Sequence, residues 1–228
     1  MLLLVQRHIE TERQKRACIL GILGEMPTVV EHIFGAPLVA ETGGINAMII
    51  DSTALLEQAV RDVVASAFQS AGQRCSALRC VYVQDDIAPA FREMLTGAIE
   101  ALTVGDPWDL ATDIGPLIDE TARKGIAEHL DRHNAKPRIG APETGTFLAP
   151  TLIDISGITD LKREVFGPVL HIATFKSEDL EKVIYDINST GYGLTFGLHT
   201  RIDSRVQDIV ERIDAGNSYV NRNQIGAV

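Results

Sequence analysis

The chain has 228 residues, with 31 Asp and Glu against 21 Lys and Arg, and a formal charge of −10. An acidic balance of this kind argues against a phosphate-backbone-binding surface, which needs clustered positive charge. Hydrophobic residues make up 45% and charged residues 23%, an ordinary globular mix at a length that suffices for one or two compact domains. The longest apolar runs, such as residues 2–5, fall far short of the roughly 20 residues that a bilayer-spanning helix needs. The charged run that follows (Arg7, Glu10, Glu12, Arg13, Lys15, Arg16) does not fit a secretory signal, so a cytoplasmic protein without a transmembrane segment is expected. Three cysteines, Cys18, Cys75 and Cys80, are odd in number and too sparse for a disulfide scaffold.

In chain order, residues 1–36 come first and stand apart. A polar helical run around 7–16 precedes apolar residues 19–23, with no strand feeding the later pattern, and the segment reads as a separate module without an assigned role. Over 52–70, the pairs Leu55/Leu56, Ala59/Val60, Val63/Val64 and Ala67/Phe68 recur every four residues and predict a helix that stops at Gly72. Residues 77–83 are apolar and β-rich and predict a buried strand ending at the solvated pair Asp85-Asp86. Ile87, Phe91, Met94, Leu95, Ile99 and Leu102 form the stripe of a second helix, which Gly105-Asp-Pro107 ends. Then follow a helix over about 119–132, a Gly/Pro-rich surface connection over 137–150 and a strand near 169–175. A helix over 177–188, a strand over 194–199, a helix over 202–213 and a strand over 218–221 complete the series. Alternation of this kind predicts an α/β fold, a mostly parallel sheet flanked by helices.

Chemistry concentrates in two places. Gly72-Gln-Arg-Cys-Ser-Ala77 lies between a strong helix and a strong strand, where a side chain can be presented to a cleft. Cys75 there is either a nucleophile, helped by adjacent Arg74, or one of the many free cysteines that are simply buried. Glu41-Thr-Gly-Gly-Ile-Asn46 pairs a carboxylate with two glycines that let backbones approach closely, 34 residues before Cys75 and with one helix between.

Other candidates read as structural. His129 and His133 are four apart on a helix but lack the glutamate of the zinc protease motif and a third ligand, so an exposed helical face is expected and no metal. Cys80 reads as a small core hydrophobe in its strand, and Trp108 as a side chain that packs a turn.

Taken together, the Glu41 and Cys75 motifs at this separation resemble the aldehyde dehydrogenase superfamily, whose general-base glutamate opens a Glu-Leu-Gly-Gly motif and whose nucleophile lies in Gly-Gln-x-Cys; Thr42 replaces the usual leucine. Further blocks resemble the family in its order. They are Gly105-Asp-Pro-Trp-Asp-Leu110 with Ile114-Gly-Pro-Leu117, Phe147-Leu-Ala-Pro-Thr151, Arg163-Glu-Val-Phe-Gly-Pro-Val169, Tyr192-Gly-Leu-Thr195 and Gly216-Asn-Ser-Tyr-Val-Asn221. Within the superfamily the motifs look most like the L-glutamate γ-semialdehyde (Δ1-pyrroline-5-carboxylate) dehydrogenase module of the bifunctional bacterial proline utilization A flavoenzymes.

The resemblance implies a partial catalytic domain over 37–228, acting on a small-molecule aldehyde with NAD as cofactor. Cys75 would form a thiohemiacetal and then a thioester, which Glu41 helps water to hydrolyse. It further implies that Glu164 binds the nicotinamide ribose, that Phe166 packs near the nicotinamide ring and that Ser76 contacts the substrate carboxylate. The family places a dinucleotide-binding domain before the glutamate, so a missing NAD-binding domain is expected in the full-length protein; an oligomer is compatible with the resemblance, its state unspecified by the sequence. No strand-linked Gly-x-Gly-x-x-Gly is found here. An inert fragment of such an enzyme, or a member with another aldehyde specificity, are the alternatives.

Overall fold

The computed structural model describes residues 5–8, 16–19, 38–40 and 43–226. The chain divides into two compact units, Met1–Gly44 and Ile45–Val228, taken separately below. In the first unit, β1 (Val5–His8) pairs antiparallel with β2 (Arg16–Ile19), which pairs in parallel with β3 (Leu38–Ala40). The helical run expected around 7–16 is therefore corrected where residues are described: 5–8 and 16–19 are strands. Ladder pairing from Val5↔Ile19 to His8↔Arg16 satisfies both backbones, and cross-strand pairing of this kind overrides local helix preference.

The second unit begins with β4 (Asn46–Ile50), followed by α1 (Leu56–Phe68), β5 (Leu78–Gln84), α2 (Ala88–Glu100) and α3 (Glu120–Arg132). Next come β6 (Thr151–Asp154), β7 (Val169–Phe175), α4 (Leu180–Asn188), β8 (Thr195–His199), α5 (Asp203–Arg212) and β9 (Asn217–Val220). The strands form one six-stranded sheet, all parallel, in the order β6-β7-β5-β4-β8-β9. This is the expected α/β architecture, with β4 and β6 added to the strands that periodicity predicts.

Helices cover both faces, so β4, β5 and β8 are buried at every position and read as unbroken apolar runs rather than alternating ones. Side chains still alternate between two cores. Met48, Ile50, Val81, Val83, Leu170 and Ile172 pack with Val63, Phe91 and Leu95 on the α1–α2–α3 side. Ala47, Ile49, Cys80, Tyr82, Ala173 and Phe175 pack with Val183, Ile187 and Ile209 on the α4–α5 side. Alternation breaks once: Asn46 faces Leu78 but Ala47 faces Cys80, which leaves Arg79 as an extra residue in β5. A bulge of this kind re-aims a side chain, and Arg79 is the largest fully buried one in the molecule's described part.

Among the described residues no helix is long and apolar enough to cross a membrane. Asp85 and Asp86 are exposed, as expected for a solvated strand end. Trp108 corrects its expectation: it is 92% exposed and does not pack a turn. The turn is held by the Asp106 carboxylate, which accepts from the Trp108 amide at 2.9 Å, so the indole is not needed there.

Candidate active site

The chain leaves α1 through a short 3-10 turn, Gln69–Gly72, in which Ser70 (φ 56°), Ala71 (φ 54°) and Gly72 (φ 66°) are all left-handed. Two non-glycine residues in that region store strain, and strain of this kind persists only where surrounding contacts enforce it. At Gly72 the enforcement is visible: a Cβ there would lie 2.2 Å from the Gly167 carbonyl oxygen and 2.9 Å from that of Ala67. Only glycine lets the cysteine loop touch the 164–168 segment.

From this turn the loop rises to Cys75, which is exposed, and descends through buried Ser76 into β5. Three side chains hold it. Asn46, 3% exposed, donates from Nδ2 to the carbonyls of Cys75 (2.7 Å) and Ala77 (3.0 Å), while its Oδ1 accepts from the Thr195 amide at 3.2 Å. Thr195 Oγ1 donates to the Ser76 carbonyl at 3.2 Å, and Gln224 Nε2 reaches the same carbonyl at 3.4 Å. On the other side Gln73 acts as a clamp: its Nε2 donates to the Pro116 carbonyl at 3.2 Å and its Oε1 accepts from the Ile118 amide at 2.9 Å.

Beneath the loop lies Arg79, 1% exposed. Its Nη1 donates to Gly72 O at 2.7 Å and to Gly167 O at 3.3 Å, and its Nη2 donates to Arg74 O at 3.2 Å. Nε and Nη2 both reach Glu164 Oε1, at 3.0 and 2.9 Å. Its guanidinium carbon also sits 5.1 Å from the centroid of the Phe166 ring, within cation–π range. Burial pushes the Arg79 guanidinium down, while the Glu164 carboxylate and Cys75 hold its charge in place. One buried cation thus binds the cysteine loop to Glu164 and Phe166.

The structure brings together Cys75, Ser76, Glu164 and Phe166. Glu41 lies outside the described residues. The gathered residues precede β5 and β7 or, like Asn46 and Thr195, begin β4 and β8, so the site occupies the amino-terminal edge of the parallel sheet. Open α/β sheets more often bind ligands at the carboxyl edge. Here the strained turn and the bulge supply the side-chain geometry instead. Arg79, Asn46, Gln73, Thr195 and Gln224 were not assigned roles from the sequence. A charge inside the apolar run 77–83 was the available signal for Arg79, since a charge in a buried strand requires a partner.

Cys80 is buried as expected, and burial pushes its thiol far up, so it carries no thiolate near neutral pH. His129 corrects its expectation. It is 7% exposed, on the Ile126–His129–Leu130 face that α3 buries, and its Nε2 is 2.9 Å from Nε2 of His171; His133 is exposed.

Residues 28–228 match the aldehyde dehydrogenase family. The chain belongs to the aldehyde dehydrogenase family. It is 49% identical over 207 residues to the bifunctional protein PutA of Salmonella typhimurium, covering 84% of this chain and 16% of that protein. A 1-pyrroline-5-carboxylate dehydrogenase of a Geobacillus species is 32% identical over 198 residues, covering 84% of this chain and 38% of that one. Among solved structures, a mutant of Bradyrhizobium japonicum proline utilization A superposes with a TM-score of 0.81 at 51% identity, over 85% of this chain and 20% of that one. The chain therefore spans about a sixth of the PutA relative's length and well under half of the dehydrogenase's. In this chain the strained turn, the Arg79 hub and the exposed thiol form one connected unit.

Proposed function

We propose that residues 37–228 are a partial catalytic domain that oxidises L-glutamate γ-semialdehyde to L-glutamate, with NAD as cofactor, as part of a larger enzyme. One observation carries the reading: an exposed thiol stands on a loop whose supporting cation also grips Glu164 and stacks on Phe166. Likeness to PutA and to a 1-pyrroline-5-carboxylate dehydrogenase supports this substrate over other aldehydes.

Glu164 and Phe166 fit the nicotinamide-riboside half of the cofactor. An ionised carboxylate accepts from ribose hydroxyls, and Phe166, 44% exposed, has ring surface left for an aromatic neighbour. Bound there, the cofactor supplies the hydride acceptor. On the protein's side, the Cys75 sulfur bonds to the aldehyde carbonyl carbon, holds the acyl group as a thioester and releases it to water. Glu41 takes the proton of that water, and Ser76 is the contact for the substrate carboxylate. The backbone N–H of Cys75 is one donor for the tetrahedral oxyanion.

Substrate protection tests the reading. The chain is alkylated with iodoacetamide, and labelling of Cys75 and Cys80 is followed by peptide mass spectrometry. L-glutamate γ-semialdehyde is expected to slow labelling at Cys75 more than succinate semialdehyde does. In a full-length protein carrying this segment, Glu41→Gln is expected to leave a thioester on Cys75 that hydrolyses slowly. Equal labelling with and without either aldehyde contradicts the proposal.

A further inference from the structure

Between the end of α3 and the 160–163 segment, a cavity of about 290 Å³ is lined by His129, Arg132, His133 and residues 160–163, of which only Leu161 is apolar. Its composition is anomalous in a chain of net charge −10. The Arg132 and Arg163 guanidiniums make no hydrogen bond or ion pair among the described residues, although carboxylates outnumber cations in the chain. The other formal charges are engaged locally. Lys162 Nζ donates to the Thr159 carbonyl at 3.0 Å, and Asp160 Oδ2 accepts from the Ser156 amide at 2.8 Å. Unpaired guanidiniums converging on one hollow are left with forked donors suited to bidentate oxyanion recognition.

The cavity's inner wall can respond to what enters. The Arg79 carbonyl can only accept, so His171 Nδ1 donates to it at 2.9 Å. Neutral His171 therefore accepts at Nε2, and His129 donates to it from its own Nε2. This leaves Nδ1 of His129 as a lone pair able to take a proton. Burial first, then the neighbouring His133, Arg132 and Arg163, push the His129 imidazole down to about 4. His171, whose ring lies 5.1 Å away, is pushed down to about 4 as well, chiefly by burial. An anion seated among these cations would cancel the part of that depression that they cause.

We propose that this cavity binds a compact, multiply charged oxyanion, bearing phosphate or carboxylate groups, between the Arg132 and Arg163 guanidiniums, and that binding is coupled to protonation of His129. The volume, near the lower end for small-molecule pockets, favours a compact ligand. The site is separate from Cys75 and stands or falls independently of the catalytic reading.

Calorimetric titration of the full chain with inorganic pyrophosphate and, separately, with citrate tests the proposal. Saturable one-to-one binding of either probe is expected, and the stronger one tells phosphate from carboxylate chemistry. The double variant Arg132→Gln/Arg163→Gln should weaken binding by about tenfold or more, because charge-assisted hydrogen bonds are lost. Both residues are exposed, so folding is not at stake. Arg138→Gln, which removes an exposed cation paired with Glu100, should change it less than about twofold. Proton uptake, read from the dependence of the binding heat on buffer ionisation, should be larger at about pH 5 than at about pH 8 and should vanish in His129→Gln. No saturable binding of either probe, binding unchanged in the double variant, or binding without proton uptake at the lower pH would overturn it.

Discussion

Replacing Arg79 by methionine, close in length but uncharged, should be among the most damaging single changes in the second unit. Its side chain is 1% exposed, and its guanidinium donates to Gly72, Arg74 and Gly167 carbonyls and twice to Glu164, whose side chain is itself only 13% exposed. Removing one member of a buried ion pair costs about 3–5 kcal/mol, because the remaining charge keeps its desolvation penalty. Loss of donors to the loop carbonyls adds to this by about 1–3 kcal/mol for each one that water cannot reach. Water entering beside Glu164 offsets part of the sum, so a total loss of about 3–5 kcal/mol is expected, a large part of the 5–15 kcal/mol typical of a domain. Urea unfolding followed by circular dichroism measures it. The decisive comparison is a double-mutant cycle: Glu164→Gln in the Arg79→Met background should cost far less than in the wild type, since the orphaned carboxylate is gone. Arg79→Lys should fall between, because an ammonium keeps the charge but cannot span Glu164 and three carbonyls with a fork. A loss under about 1 kcal/mol for Arg79→Met, or strict additivity in the cycle, would refute the assignment of Arg79 as the hub of the site.

Further tests address the loop and the histidines. Gly72→Ala should destabilise the fold by about 2 kcal/mol or more, because its Cβ meets backbone at 2.2 Å and its φ is +66°. Gly167→Ala, whose Cβ meets side-chain atoms only, Ile126 Cδ1 at 2.2 Å and Cγ1 at 3.2 Å, should cost less in the same urea assay. Asn46→Ala removes donors to two loop carbonyls and should cost about 1–3 kcal/mol while speeding hydrogen exchange at the Thr195 amide. His129 and His171 are held in the neutral form, with values near 4 against an unfolded value of 6.5, and His199 shifts in the same direction through burial. The unfolded chain therefore binds more protons between these values, so stability falls as pH drops from about 6.5 and the contribution is fully lost below about 4. His171→Gln should flatten that limb when urea midpoints are compared from pH 7 to pH 4; an unchanged slope would contradict the assignment.

How much of this was legible in the sequence depends on whether the determining interaction is local. Helix α1 is written in four-residue apolar pairs, and strand β7 matches its apolar run residue for residue, because each pattern is set by the face it must bury. Strand β4 escaped the periodicity although Ile45 and residues 47–50 are apolar, since a strand buried on both faces shows no alternation to count. Cys75 was legible as a candidate from its place between a helix and a strand. Its support was not: Arg79 points to Glu164, 85 residues on, only because one extra residue in β5 turns it there. His129 shows the same limit. Its four-residue spacing to His133 describes a helix face, but its partner, His171, comes from a strand 42 residues away. A spacing can say which residues share an element; it cannot say which buried polar group an adjacent element needs satisfied. In this chain those non-local demands hold the exposed thiol, the carboxylate and the aromatic ring around a single guanidinium.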